Sequence, residues 1–156
     1  MKILITGAGG FIGSKLVVSL KKTKHQLFLC TTREIKRNLS KNLKSVYVGN
    51  LLNAELGELT KNMDIIIHCA GLAHNIYDTQ DKDTYFKINT SLTSELGKAG
   101  KNNNIKKFIF LSTAGIHSDS NKLGKKISEF DYIKPISPYT QSKLKAENLL
   151  FEICLL

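Results

Sequence analysis

Residues 137 to 147 read SPYTQSKLKAE, and within them Tyr139 and Lys143 stand four residues apart. On a helix this spacing puts both side chains on one face. A free phenol, with a pKa of about 10, is a poor base at neutral pH. A lysine cation beside it and the positive end of a helix just before it both favour the phenolate. The two residues therefore form a candidate proton-transfer pair. Ser137 and Pro138 supply the helix start, a capping hydroxyl followed by a proline at the first helical position, where its missing N–H is no loss. Taken alone, the pair suits a half-buried aromatic and a surface lysine equally well. It becomes chemical only if the chain also builds something for it to act with.

The opposite end of the sequence offers that second component. TGAGGFIG, Thr6 to Gly13, carries Gly7, Gly10 and Gly13 in a GxxGxxG spacing between the apolar run 2–6 and the amphipathic stretch 11–22. Gly7 turns the chain sharply out of a strand, Gly10 lets the backbone approach a pyrophosphate, and Gly13 lets the helix pack close to the sheet. The exposed N–H groups of the helix start, at Phe11 and Ile12, meet the phosphate with the positive end of the helix dipole. A dinucleotide is the expected ligand. The end of the second strand reads CTTREIKR, where a carboxylate would hold a ribose 2′-hydroxyl. Thr31, Thr32 and Arg33 suit a 2′-phosphate better, and Glu34 comes too late. NAD and NADP both stay open, with the balance toward NADP.

The elements that must position these residues follow from hydrophobic periodicity. Strands are expected over 2–6, 26–30, 45–48, 64–71 and 107–113, and helices over 11–22, 80–101 and from 138. In the first helix Phe11, Ile12, Leu16 and Leu20, with Val17 alongside, are expected to form the apolar stripe. Residues 114–136 read as a loop. Near-continuous apolar strands alternating with helices imply a parallel sheet covered on both faces. Right-handed crossovers give a doubly wound α/β sheet of strand order 3-2-1-4-5, one dinucleotide-binding Rossmann domain over 1–156.

Composition narrows the remaining classes. The 156 residues are 42% hydrophobic and 23% charged, as in an ordinary globular domain. The net charge of +10 is carried almost wholly by scattered lysines, with Arg33 and Arg37 the only arginines. Without an arginine–aromatic stripe, nucleic acid is not an expected partner, although the charge would attract an anionic small molecule. Cys30, Cys69 and Cys154 lie far apart in apolar segments, and neither they nor His68 and His74 complete a metal site. No apolar run is long enough to span a membrane, and MKILITGAGG is too short in its apolar core for a signal peptide, so a cytoplasmic location is expected.

In order, the motifs TGAGGFIG (6–13), GNLLN (49–53), IIIHCAGLAH (65–74), KIN (87–89), FIFLST (108–113) and SPYTQSKLKAE (137–147) resemble the extended short-chain dehydrogenase/reductases, in the nucleotide-sugar epimerase/dehydratase branch that includes UDP-glucose 4-epimerase. The resemblance implies that Tyr139 and Lys143 act with a third residue after the fifth strand, at the position of Thr113, with Ser112 as second choice. It implies cofactor contacts from Asn50 and Leu51 beside adenine, from Ala70, Gly71 and Leu72 after the fourth strand, from Asn89, and from Tyr139 and Lys143 themselves. Asn50 stands where the family has aspartate, and His117-Ser118 replace the usual Tyr-Gly.

The activity implied is 4-epimerisation of a UDP-hexose or UDP-N-acetylhexosamine through a transient 4-keto sugar. The alternatives are an NADPH-dependent 4-keto-sugar reductase, a dehydratase, or an inactive or non-catalytic NAD(P)-binding module. A dehydratase usually carries an acidic pair where this chain has Ala114-Gly115. The family further implies a UDP-sugar ligand and a homodimer formed through the helices at 80–101 and 138–154. Family members run to about twice this length. The expectation is therefore a chain that lacks the later strands and the small substrate domain, with weak cofactor binding and little sugar turnover unless another chain completes it.

Overall fold

The computed structural model describes residues 1–32, 40–73, 81–117 and 126–155. Five strands, β1 (Lys2–Thr6), β2 (Gln26–Thr31), β3 (Leu43–Tyr47), β4 (Ile65–His68) and β5 (Lys107–Phe110), form one parallel sheet of order β3-β2-β1-β4-β5. The register sets Leu4 between Phe28 and Ile66, and Thr6 opposite His68. Side-chain alternation along the strands splits the core in two. Leu4, Cys30 and Ile66 face one layer with Leu59, Leu92 and Leu96. Ile3, Ile5, Leu27, Leu29 and Ile67 face the other, where Leu16, Val17 and Leu20 of helix α1 (Phe11–Leu20) cover them. Both faces are thus sealed, which is what apolar residues at successive strand positions require.

Several elements differ from the periodicity reading. Phe11 and Ile12 do not join the buried stripe of α1; Phe11 is 86% exposed, because the first turn projects beyond the sheet edge where the strands end. Strand β3 begins at Leu43 rather than 45, its half-exposed edge position hiding it from a search for apolar runs. Strands β4 and β5 are shorter than read, since the chain leaves the ladder at His68 and Phe110. A 3₁₀ turn (Leu51–Asn53) and a short helix α2 (Leu56–Thr60) occupy a stretch for which no element was expected.

The long helix between β4 and β5 is composite: α3 (Lys82–Tyr85), a π-helical turn (Phe86–Ser91) and α4 (Leu92–Asn102). Asp81 caps its start by accepting the Thr84 N–H at 2.7 Å. The widened turn buries Asn89 and Thr90. The last element, α5 (Pro138–Leu155), packs on α4 so closely that a Cβ on Gly97 would sit 2.7 Å from Leu150 Cδ2. Among the described residues, no helix is long and apolar enough to cross a membrane.

Candidate active site

At the C-terminal ends of β1, β2 and β4 the strand order reverses, and a cleft of about 600 Å³ opens there. Its walls include Gly7, Gly10, Thr31, Leu51, Ala70 and Gly71, six of the residues assigned from sequence. Gly7 has φ +65°, and a Cβ on it would lie 2.6 Å from the Ala70 backbone nitrogen. The glycine is therefore required both by its left-handed conformation and by the approach of the loop to β4. Gly13 is buried against the Gly7 carbonyl, so helix α1 starts directly above the loop. That helix has no side-chain cap at Gly10 and no acidic residue in its first turn. A positive helix end with neither a cap nor a competing carboxylate fits a phosphate.

The other assigned cofactor residues take different positions. Asn50 uses its side-chain oxygen to accept the Leu52 N–H at 3.0 Å, capping the 3₁₀ turn that carries Leu51. Asn89 is fully buried and spends its amide on the Leu72 N–H and carbonyl at 2.8 and 3.0 Å and on Ser142 Oγ at 3.1 Å. It thereby fixes the turn after β4. Phe11 and Ile12 open α1 and stand in solvent. Arg33 and Glu34 lie outside the described residues, as do His74 and Ser118. The cleft also uses Gly9, Cys30, Val48 and Cys69, which sequence reasoning passed over. Their signal was positional: Cys30 and Cys69 end or follow strands whose carboxyl ends line the crevice. Burial raises both thiols, Cys30 to about 11, so neither is a nucleophile near neutral pH.

Tyr139 and Lys143, the candidate pair, sit at the same end of the sheet. Ser137 Oγ accepts the Thr140 N–H at 3.2 Å, so α5 begins as its sequence predicts. Lys143 is 5% exposed, donates from Nζ to the Leu111 carbonyl, and lies 3.9 Å over the Phe110 ring. The lysine is thus anchored to the end of β5 and held on the inner face of α5. Tyr139, one turn earlier, meets the buried Tyr85 ring edge-on at 6.2 Å. Thr113 Oγ1 accepts the Gly115 N–H at 3.1 Å, which leaves its own proton available to donate. A Cβ on Gly115 would touch both the Thr113 hydroxyl and the Thr140 methyl, so the turn after β5 adjoins the first turn of α5. Among the described residues the buried Ser112 Oγ has no partner, and Ser112 lines a separate groove beside β5. Among the described residues no group of three His, Cys, Asp or Glu is placed to hold a metal.

Burial pushes Lys143 down to about 8, while Glu147 and Cys69 oppose the shift. Below pH 8 the lysine is charged in both folded and unfolded chains. Above it the folded chain releases the proton first, so this group makes stability rise with pH from about 8 toward 10.5. Cys30 acts oppositely from pH 9 to about 11, because its folded form keeps the proton longer. Urea unfolding is therefore expected to show stability rising between about pH 8 and pH 9. Lys143→Met should remove that rise; an unchanged profile in the variant would assign it elsewhere.

Residues 3–154 match the model of the NAD dependent epimerase/dehydratase family. The chain is 32% identical over 163 residues to the uncharacterized UDP-glucose epimerase YtcB of Bacillus subtilis, covering 96% of this chain and 50% of that protein. It is 30% identical to the UDP-glucose 4-epimerase of Vibrio cholerae, covering 95% and 45% respectively. Among solved structures, MoeE5 in complex with UDP-glucose and NAD superposes with a TM-score of 0.87 at 26% identity, over 100% of this chain and 50% of that one. The chain thus spans about half the length of the curated relatives it matches.

Proposed function

This chain belongs to the NAD dependent epimerase/dehydratase family, and on that premise we propose that it carries the cofactor and proton-transfer machinery of a nucleotide-sugar 4-epimerase acting on a UDP-hexose or UDP-N-acetylhexosamine. The observation that carries the reading is Lys143. A buried lysine fixed to the Leu111 carbonyl, one turn from Tyr139, is costly to a fold unless its charge is used. The glycine cleft adjoins the same ends of β1 and β4, where the nicotinamide half of a dinucleotide belongs. When bound, the nicotinamide ring supplies reversible hydride acceptance from the sugar carbon.

The roles of the chain's own residues follow. Gly7, Gly10 and the uncapped start of α1 at Phe11, Ile12 and Gly13 hold the pyrophosphate. Leu51, positioned by the Asn50 cap, packs beside the adenine, and Ala70, Gly71 and Leu72 support the other half. Tyr139 removes the proton of the sugar 4-hydroxyl and later returns it, with the Lys143 cation one turn further along the same helix. Thr113 donates its hydroxyl proton to the reacting oxygen. A 4-epimerase is preferred to a dehydratase because the turn after Thr113 carries Ala114 and Gly115, with no acid or base to eliminate water. In a chain joined to the C-terminal half of a UDP-glucose 4-epimerase, incubation with NAD and UDP-glucose, followed by proton NMR of the anomeric region, tests this. The 4-epimer is the expected product, and a 4-keto-6-deoxy sugar would identify the dehydratase instead.

For the dinucleotide we propose weak discrimination at the ribose 2′ position. Thr31 and Thr32 line the cleft with hydroxyls rather than a carboxylate, which would repel a 2′-phosphate. NADH and NADPH are expected to bind within about tenfold of each other by fluorescence titration. A preference for NADH beyond about a hundredfold would show that a carboxylate reads the ribose.

A further inference from the structure

His68 is fully buried at the end of β4 and takes no part in the proposed chemistry. Its hydrogen bonds have a definite direction. Thr93 donates its hydroxyl proton to the Asn89 carbonyl at 2.7 Å, so toward the imidazole it can only accept. His68 Nε2, 2.9 Å away, must therefore carry the ring proton. Nδ1 is then bare and accepts the Thr6 hydroxyl proton at 2.6 Å, while Thr6 Oγ1 accepts the Ala70 N–H at 3.3 Å. From Asn89 the chain continues outward. The side-chain amide donates to Ser142 Oγ at 3.1 Å, and Ser142 donates to the Tyr139 carbonyl at 2.7 Å. Thr90 adds a parallel tie, donating to the Ser142 carbonyl at 2.8 Å.

We infer that Thr6, His68, Thr93, Asn89 and Ser142 form one directional hydrogen-bond chain whose task is to set the Ala70 wall of the cleft and the Tyr139 turn of α5 relative to each other, with His68 as its positioning residue in a single neutral tautomer. The inference rests on the reading of the cleft and of Tyr139 given above. The chain starts at a residue of the dinucleotide cleft and ends at the backbone of the proposed base, and the Asn89 amide spends its second proton on the Leu72 carbonyl. A second ring proton on His68 would reverse this bond, making Nδ1 the donor and leaving the Thr6 hydroxyl proton without its acceptor. The stacked Phe110 ring, with centroids 5.8 Å apart, holds the imidazole plane and also carries Lys143 on it. Burial, aided by the Lys143 charge, keeps the ring neutral by lowering its pKa to about 3.

The test has two arms. In the intact chain with ¹⁵N-labelled histidine, NMR between about pH 5 and pH 8 is expected to show His68 neutral throughout, with the proton on Nε2. A proton on Nδ1, or titration of this ring in that range, overturns the inference. In the second arm, Thr93→Val keeps the volume but removes the acceptor of the Nε2 proton. It should weaken NADH binding about tenfold, and Thr93→Ser should restore it to within about twofold of the original. Equal losses in the valine and serine variants would mean that packing matters and the hydroxyl does not, which also overturns it. Failure of the original chain to bind NADH would refute the cofactor reading, and the ring measurement would then decide the hydrogen-bond chain by itself.

Discussion

Gly13→Ala is expected to lower the melting temperature by about 10 °C and to abolish measurable NADH binding. The added Cβ would be driven into the Gly7 carbonyl and within 3.0 Å of the Ala8 Cα. These are backbone atoms of the turn that leaves β1, so they cannot step aside as a side-chain end would. Overpacking of this kind costs about 3 kcal/mol, and any relief must move α1 away from the loop. The N–H groups at its start then no longer converge with Gly7 and Gly10. The neighbouring Gly9→Ala gives the control, because its Cβ would have nothing within 4 Å. That variant should melt within about 2 °C of the original. Equal destabilisation by both substitutions would refute the assignment of Gly13 as the contact that seats the helix.

The second large effect concerns Tyr139. In a chain completed by an epimerase C-terminal half, Tyr139→Phe should reduce epimerisation by a factor of about 10³, with the NADH dissociation constant and melting temperature close to the original. The ring itself is retained, so its edge contact with Tyr85 survives and only the hydroxyl is lost. Lys143 remains fixed to Leu111 in either case. Turnover within about threefold of the original would remove Tyr139 from the chemistry and move attention to Thr113. Loss of folding in the variant would instead assign the phenol a structural role.

Much of this fold was legible because local and global signals agree. Ile3 to Ile5 and Ile65 to Ile67 are β-branched or leucine runs that satisfy two buried faces at once, and glycines follow both strands. The glycine loop was readable because backbone geometry fixes its residue type, and the Tyr139–Lys143 pair because helical spacing puts the two on one face. Element ends were less legible. Strand β3 alternates Leu43, Lys44, Ser45, Val46 on a sheet edge, so its apolar content is diluted. Phe11 looked like a core residue because periodicity cannot tell where a helix projects past its sheet.

The site shows a sharper division. Gly7, Gly10, Thr31, Leu51, Ala70 and Gly71 could be placed together from motif order, and one cleft contains them all. The buried chain through His68 could not. Its partners Thr6 and Thr93 are 62 and 25 residues away in sequence, and neither threonine differs in type from the nine others. Asn89 illustrates both sides of the difficulty. Its position was assigned by motif, yet its amide is consumed by Leu72 and Ser142 from within the π-helical turn. Helical periodicity carries no warning of that turn, because one widened turn leaves the apolar spacing on either side intact.

The central claim is that the glycine cleft holds a nicotinamide dinucleotide with its reactive ring at Tyr139. Intermolecular nuclear Overhauser effects between bound NAD and the labelled protein measure this most directly. The account predicts contacts from the nicotinamide protons to the Tyr139 ring and from the adenine protons to the Leu51 methyls. Adenine at Tyr139 with nicotinamide at Leu51, or no bound NAD at millimolar concentration, would contradict it.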